Sequence, residues 1–200
     1  MSRFAATLAA GLLLGAPLMA AARPPAPTAS APAWTVDAAA SRLGFASRFN
    51  DEAFSGAFRR WTAAIRFDPS RLDRSSVVAT IDLASAYTGS PDRDQSLPTS
   101  DWFDVAHHPG AVFRSTRIRA SGPGRYVAEG VLTLRGVSRP LPLPFSLSIT
   151  GQGAGQTARM TAAVALNRSA FGVGQGQWAS GEVVPTTVQV TINLSARRVS

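Results

Sequence analysis

His107 and His108 are the only histidines in the 200-residue chain, and histidine is the side chain best suited to proton transfer near neutral pH. Asp101 and Asp104 lie just before them and are placed to orient an imidazole base. A Ser-His-Asp hydrolase also needs a nucleophile within reach, and the sequence has no Gly-x-Ser-x-Gly elbow. A metal site needs more ligands than two adjacent residues on a turn, and the chain has no cysteine. We therefore expect no catalytic residue, no metal and no cofactor, and keep a hydrolase that uses His107 or His108 as the alternative.

The glycine-rich segment at 172–176 has the spacing of a phosphate loop, but no helical pattern follows it. It is better interpreted as a flexible hairpin near one end of a sheet. Gln177 and Trp178 come directly after it, where they would either contact a ligand or cap that end.

Apolar and polar residues alternate through most of the chain, which is typical of strands that bury one face. The connections are too short for the helical crossovers that parallel strands need. We predict an all-β fold in which eight antiparallel strands close into an up-and-down barrel, with a two-sheet sandwich as the alternative. The predicted inward residues include Leu43, Phe45 and Phe49; Trp61, Ala63, Ile65 and Phe67; Val77, Ala79, Ile81 and Leu83; Tyr126, Ala128, Gly130, Leu132 and Leu134; Leu141, Leu143, Phe145, Leu147 and Ile149; Met160, Ala162, Val164 and Leu166; and Val188, Val190, Ile192 and Leu194.

A short insertion near 91–104 breaks the alternation. Ser90 is a good N-cap, Pro91 suits the first helical position, and Pro98 ends or bends the helix. Trp102 and Phe103 follow. We predict a helical lid or plug at one mouth of the barrel.

Pro140, Pro142 and Pro144 are spaced by two on one predicted strand, so their missing N–H groups all point to the same edge. That edge can accept hydrogen bonds but hardly donate them. We predict a weak seam, a bend or a rim there, near the lid.

The predicted inward residues mix large side chains such as Phe45 and Trp61 with small ones such as Ala63 and Gly130. An eight-stranded barrel is just wide enough to be filled by side chains or to hold one small ligand. This mixture fits an apolar tunnel and also fits a packed core of interlocking residues. The sequence leaves both interpretations open.

Residues 1–22 have a basic start, an apolar run and a small-residue cleavage pattern, so we predict a signal peptide and a periplasmic protein. Residues 23–33 are rich in Pro and Ala and are predicted to be a flexible leader before a single domain at 34–198. The net charge is +8, and every basic residue is Arg. The arginines are scattered, which excludes a nucleic-acid partner and leaves contact with an anionic membrane surface open.

The chain resembles the YceI-like family over about 34–197. The loose motifs gain specificity from their order and spacing. They are W-T-V-D (34–37), S-R-L-G-F (41–45), F-S-G-A-F (54–58), I-R-F-D-P (65–69), R-D-x-x-L (93–97), D-W-F-D-V (101–105), H-P-x-A-V-F (108–113), G-V-L-T-L-R-G-V-S-R-P (130–140) and L-N-R-S-A-F-G-V (166–173).

The resemblance implies a lipocalin-like barrel, periplasmic and not an enzyme, that binds a long-chain isoprenoid or similar amphiphile. Implied ligands are a polyprenyl phosphate, an isoprenoid quinone or a fatty amide. Arg168 would face the ligand head, or form an ion pair with Asp82, Asp101 or Asp104. Many family members have His where this chain has Ser96. The candidate ligand-binding residues are Phe45, Phe49, Phe58, Trp61, Phe67, Trp102, Phe103, Phe113, Phe145, Arg168, Phe171 and Trp178.

Two other interpretations stay open beside the lipid carrier. One is the hydrolase already described. The other is an accessory of a membrane redox protein with a solid barrel. A homodimer is one oligomeric state that the sequence allows.

Overall fold

The computed structural model describes residues 30–199, so the predicted signal peptide lies outside the described residues. One α-helix, α1 (Pro91–Ser96), and eleven strands make up that part of the chain. The strands are β1 (Ala33–Val36), β2 (Arg42–Phe49), β3 (Glu52–Phe58), β4 (Trp61–Arg66), β5 (Ser76–Asp82), β6 (Ala86–Tyr87), β7 (Gly110–Gly122), β8 (Arg125–Leu134), β9 (Val137–Thr150), β10 (Thr157–Asn167) and β11 (Thr187–Arg198). In the part of the chain that the structure describes, no helix is both long and apolar enough to cross a membrane.

The strands close into an antiparallel barrel of eight. The order runs β1-β4-β5-β7-β8-β9-β10-β11, and β11 pairs with β1 to complete the ring. Near its start β11 pairs instead with β2, which pairs with β3, and β3 pairs with β6. The pairs β1/β2, β3/β4 and β5/β6 are therefore three long strands, each interrupted once. This confirms the predicted eight-stranded up-and-down barrel over the sandwich.

Backbone and side-chain hydrogen bonds hold the interruption in the strand formed by β3 and β4. The N–H of Arg59 donates to the Ser85 carbonyl at 3.1 Å, and the N–H of Arg60 donates to Ser85 Oγ at 3.0 Å. In the opposite direction, the N–H of Asp82 donates to the Arg60 carbonyl at 3.0 Å. The strand can thus bend without leaving these backbone groups unpaired.

One end of the barrel is filled by the rings of Trp34, Phe67, Tyr126 and Phe145, which we call the aromatic end. Phe67 meets Tyr126 edge-on, with centroids 5.2 Å apart, and Tyr126 stacks on Phe145 at 5.4 Å. The indole Nε1 of Trp34 donates to the Phe67 carbonyl at 3.0 Å. Ring contacts and a satisfied indole N–H hold this end together.

The packed part of the chain includes residues that the sequence assigned to the flexible leader. Ala31 is fully buried, and the Pro32 carbonyl accepts a 3.0 Å hydrogen bond from the N–H of Phe67. Ala33 is already in β1. Residues 31–33 therefore lie beside the end of β4 and add backbone pairing there.

The opposite end is covered by a lid, residues 90–104. α1 starts after Ser90 with Pro91 in its first turn, as predicted, although the Ser90 side chain makes no capping bond. The N–H of Phe103 donates to the Leu97 carbonyl at 3.0 Å, and its ring lies 5.9 Å from that of Phe58. The lid is one and a half turns of helix followed by tight turns, held over the barrel by Phe103.

The three prolines of β9 mark a gap in the barrel wall. The N–H of Leu147 donates to the Gly124 carbonyl at 2.8 Å, so odd-numbered residues of β9 direct their backbone groups toward β8 and even-numbered ones toward β10. The prolines therefore face β10. Pairing between β9 and β10 runs from Thr150↔Thr157 to Phe145↔Ala162 and stops just before Pro144. The ladder is thus interrupted where the sequence predicts a weak seam.

Candidate functional site

The interior of the barrel holds a cavity of about 500 Å³. Ligand pockets are usually about 300–1,000 Å³. The structure therefore favours a tunnel over a packed core. All twelve residues that the sequence offered for ligand binding line the cavity: Phe45, Phe49, Phe58, Trp61, Phe67, Trp102, Phe103, Phe113, Phe145, Arg168, Phe171 and Trp178.

The strands position these side chains through simple alternation. Ala63 lines the cavity, whereas its neighbour Ala64 is exposed on the outer face. Small residues at Ala63 and Ala79 face each other in the β4–β5 pairing and leave room between the larger rings. The wall is mainly aliphatic and aromatic. Its polar side chains gather at the lid end and include Ser47, Thr88, Ser90, Asp92, Arg93 and Ser96.

Arg168 is only 4% exposed and uses all five of its N–H groups on backbone carbonyls. Nε donates to Pro185, Nη1 to Val173 and Gly174, and Nη2 to Trp178 and Val184, over 2.6–3.2 Å. Burial lowers the pKa of the guanidinium. The predicted ion pair with Asp82, Asp101 or Asp104 is wrong, since Arg168 contacts no carboxylate within residues 30–199, and its N–H groups are all used within the protein, so none is left to donate to a ligand head. It holds the chain segment around 173–185 in place.

The glycine-rich segment at 172–176 is tied to the lid. The N–H groups of Gly174 and Gln175 both donate to the Asp101 carbonyl at 2.7 Å. Gly174 has φ +81° and lies against the Arg168 guanidinium, where a Cβ would collide with it. Arg135 donates to the carbonyls of Gly172 and Ser100. The segment thus anchors the lid through backbone hydrogen bonds and does not form a phosphate loop.

Three buried polar atoms among the described residues have no hydrogen-bond partner: Ser47 Oγ, Arg93 Nε and Trp102 Nε1. All three side chains line the cavity. A buried donor or acceptor without a partner costs about 1–3 kcal/mol. The sequence analysis missed Ser47 and Arg93. Ser47 carried a signal, since it occupies an inward position of β2 between Phe45 and Phe49.

The two histidines lie outside the cavity wall. His107 is 76% exposed, and its Nδ1 is 2.8 Å from Asp104 Oδ1; His108 Nε2 is 3.9 Å from Oδ2 of the same carboxylate. The hydrogen bond from His107 lowers the pKa of the Asp104 carboxyl. Over residues 30–199, no cluster of three metal-ligating side chains was found. The pair thus fastens the turn after the lid.

Comparison with solved structures shows the same fold elsewhere. The crystal structure of BcnA from Burkholderia cenocepacia superposes with a TM-score of 0.72 and 32% identity, covering 80% of this chain and 98% of that one. A polyisoprenoid binding domain from Saccharophagus degradans gives a TM-score of 0.65 at 18% identity, covering 84% and 99%. The second likeness concerns the fold alone.

Sequence comparison adds curated relatives. A UPF0312 protein of Pseudomonas savastanoi pv. phaseolicola is 29% identical over 140 residues, which cover 69% of this chain and 70% of the relative. A UPF0312 protein of Vibrio cholerae is 26% identical over 150 residues, covering 72% and 79%. The sequence model of the YceI-like domain matches residues 34–196, nearly the whole barrel, and the chain therefore belongs to the YceI-like family.

Proposed function

We propose that this protein is a periplasmic lipid-binding protein that holds a long-chain isoprenoid or similar amphiphile in its barrel. The observation that carries the proposal is the apolar cavity of about 500 Å³ beneath a lid. Each 100 Å² of apolar surface that a ligand tail buries contributes about 2.5 kcal/mol before the cost of association. Such a wall needs no reacting group to hold a tail. The solved polyisoprenoid binding domain with the same fold supports this class of ligand.

The proposal assigns no enzymatic step. His107 and His108 do not line the cavity, so a lipid inside the barrel would not meet them. Export rests on the predicted signal peptide. Purifying the protein from the periplasmic fraction and measuring its intact mass tests this, because cleavage after residue 22 leaves a chain that begins at Arg23. A full-length mass in the cytosol contradicts export.

Ligand binding is tested by native mass spectrometry of the delipidated protein after incubation with geranylgeraniol, a C20 isoprenoid alcohol. We expect a 1:1 complex. Ala63→Phe fills the cavity from its wall and should weaken binding at least tenfold. Ala64→Phe adds the same ring to the outer face of the same strand and should change affinity less than twofold. Equal binding by both variants, or no uptake by the unmodified protein, contradicts the proposal.

A further inference from the structure

The unpartnered groups at the lid end point to a subsite for a particular kind of ligand head. Among the described residues, Ser47 Oγ, Arg93 Nε and Trp102 Nε1 are each buried and without a hydrogen-bond partner. Buried polar groups in folded proteins nearly always have a partner, so each exception calls for an explanation. Three on one cavity wall is a pattern that a bound ligand would explain.

The three groups surround one rim. Ser47 pairs with Phe54 across β2 and β3, and the Arg93 guanidinium carbon lies 4.8 Å from the centre of the Phe54 ring. On the other side, the Trp102 ring lies 5.6 Å from Trp178, whose ring lies 6.3 Å from Phe49. Phe49 follows Ser47 by two residues, so both project from the same face of β2. The rim is thus continuous from Arg93 to Trp102.

The hydrogen-bonding character of the rim selects an acceptor. The guanidinium of Arg93 and the indole of Trp102 only donate, and the hydroxyl of Ser47 can also donate. A ligand head that itself only donates would leave the two N–H groups unsatisfied. A head with several exposed oxygens would satisfy all three groups.

The charge of the rim selects an anion. Arg93 and Arg168 both line the cavity, and the Arg168 guanidinium lies 5.3 Å from the centre of the Trp102 ring. Within residues 30–199 neither arginine belongs to an ion pair, whereas exposed arginines elsewhere do. Asp92 is the acidic side chain in the cavity wall, and the Asp94 carboxylate is engaged by Thr88. Among the side chains that line the cavity, two arginines therefore stand against one aspartate.

We propose that Ser47, Arg93 and Trp102 form a head-group subsite for an anionic oxygen group, a phosphate monoester or a carboxylate, at the end of the long-chain ligand. This inference rests on the proposed function. The tail lies in the barrel, and the Arg93 and Trp102 side chains turn their buried N–H groups toward the anionic head beneath the lid. Arg93 is held for this role by its stacking on Phe54 and by its place in α1.

The test uses four probes that share one C20 tail: geranylgeranyl phosphate, geranylgeranoic acid, geranylgeraniol and geranylgeranyl amine. Affinity is measured from quenching of tryptophan fluorescence, with native mass spectrometry as the second readout. We expect one or both anions to bind at least tenfold tighter than the alcohol and the amine to bind most weakly. The order of phosphate and carboxylate then identifies which oxygen group the subsite prefers.

Two substitutions locate the subsite. Arg93→Met keeps the stem over Phe54 and should bring anion affinity to within threefold of the alcohol, while affinity for the alcohol changes less than twofold. Arg74→Met, on an exposed arginine paired with Asp73, should leave all four affinities unchanged. Trp102→Phe keeps a ring and removes the N–H; it should weaken anion binding about threefold and serves as a second test independent of the Arg93 variant.

The outcomes separate the two proposals. Binding of none of the four probes overturns the proposed function. Equal binding of all four overturns the subsite and leaves lipid binding intact, and so does a preference for the amine. An anion preference that survives both Arg93→Met and Trp102→Phe places the head elsewhere and also overturns the subsite.

Discussion

Each end of the barrel carries a tryptophan whose indole N–H is buried, and the two N–H groups differ in their partners. Trp34, at the aromatic end, is 6% exposed and donates its N–H to the Phe67 carbonyl. Trp102, at the lid end, has a buried N–H with no acceptor among residues 30–199. The indole of the aromatic end is thus paired within the fold, whereas the lid end carries buried donors that the described residues leave unpaired. Under the proposed head-group subsite, these unpartnered groups mark the end of the barrel that receives the ligand head.

The ends also differ in what holds them. Ring packing stabilises the aromatic end, through contacts that are non-directional and spread over several side chains. The lid end depends on hydrogen bonds from two arginine side chains. Arg168 donates to five backbone carbonyls, and Arg135 donates to the carbonyls of Gly172 and Ser100. A few directional hydrogen bonds can hold the 173–185 segment in place without filling the cavity beside it with side chains.

The largest expected effect is at Arg168. Arg168→Met leaves five carbonyls without their donor and should lower the free energy of unfolding by about 3–5 kcal/mol. Arg139→Met is the control, since its exposed side chain makes one long contact of 3.4 Å to the Ala170 carbonyl. That variant should change stability by less than about 0.5 kcal/mol. Urea unfolding measures both, and a mild effect at Arg168 would mean that packing holds the lid end too.

Matched substitutions of the two tryptophans test the comparison directly. Trp34→Phe removes a donor on which the Phe67 carbonyl depends and should cost about 1–3 kcal/mol. Trp102→Phe removes a buried donor that has no partner among the described residues, which offsets the packing lost with the smaller ring, so it should cost less than Trp34→Phe. Thermal unfolding of the ligand-free variants gives the two values. A larger loss at Trp102 than at Trp34 would reverse the assignment of the ends.

The seam in β9 and β10 offers a third, local test. Odd-numbered residues of β10 face β9, and beyond Ala162 that strand has no ladder partner there. Val164 and Leu166 face β11, where pairing continues to Asn167. Amides of Ala163 and Ala165 should therefore exchange at least about tenfold faster than those of Val164 and Leu166. Amide exchange followed by NMR resolves them, and uniform protection would contradict an open seam.

The smallest expected effect concerns pH and the turn after the lid. The hydrogen bond from His107 lowers the pKa of Asp104 in the folded protein. A lowered folded-state pKa stabilises the protein above the ordinary pKa of Asp, and that contribution is lost as the pH falls through the folded value. His107→Ala should move the Asp104 pKa back upward, which a pH titration of the Asp104 side-chain carboxyl carbon by NMR would show. Since His107 is largely exposed, overall stability at neutral pH should hardly change.

Much of the fold was predictable because alternation is local. The period of two assigned the inward faces of β4, β9 and β11, and the lid was visible from Ser90, Pro91 and the aromatic pair that follows. The predicted seam followed from the proline spacing in the same way. The interruption between β3 and β4 was not predictable, because Arg60, Asp82 and Ser85 meet only when separate segments are brought together.

The sequence by itself determined which side chains face inward, since successive residues of a strand point to opposite faces whatever surrounds them. Tertiary structure decided what that inward face encloses, because cavity volume depends on how opposite walls fit. It also decided the roles of the arginines. Arg168 sits in a conspicuous motif, yet carbonyls from residues 173–185 use up its donors. Arg93 and Ser47 stand out only in the folded protein, where each has a buried polar atom without a hydrogen-bond partner among the described residues.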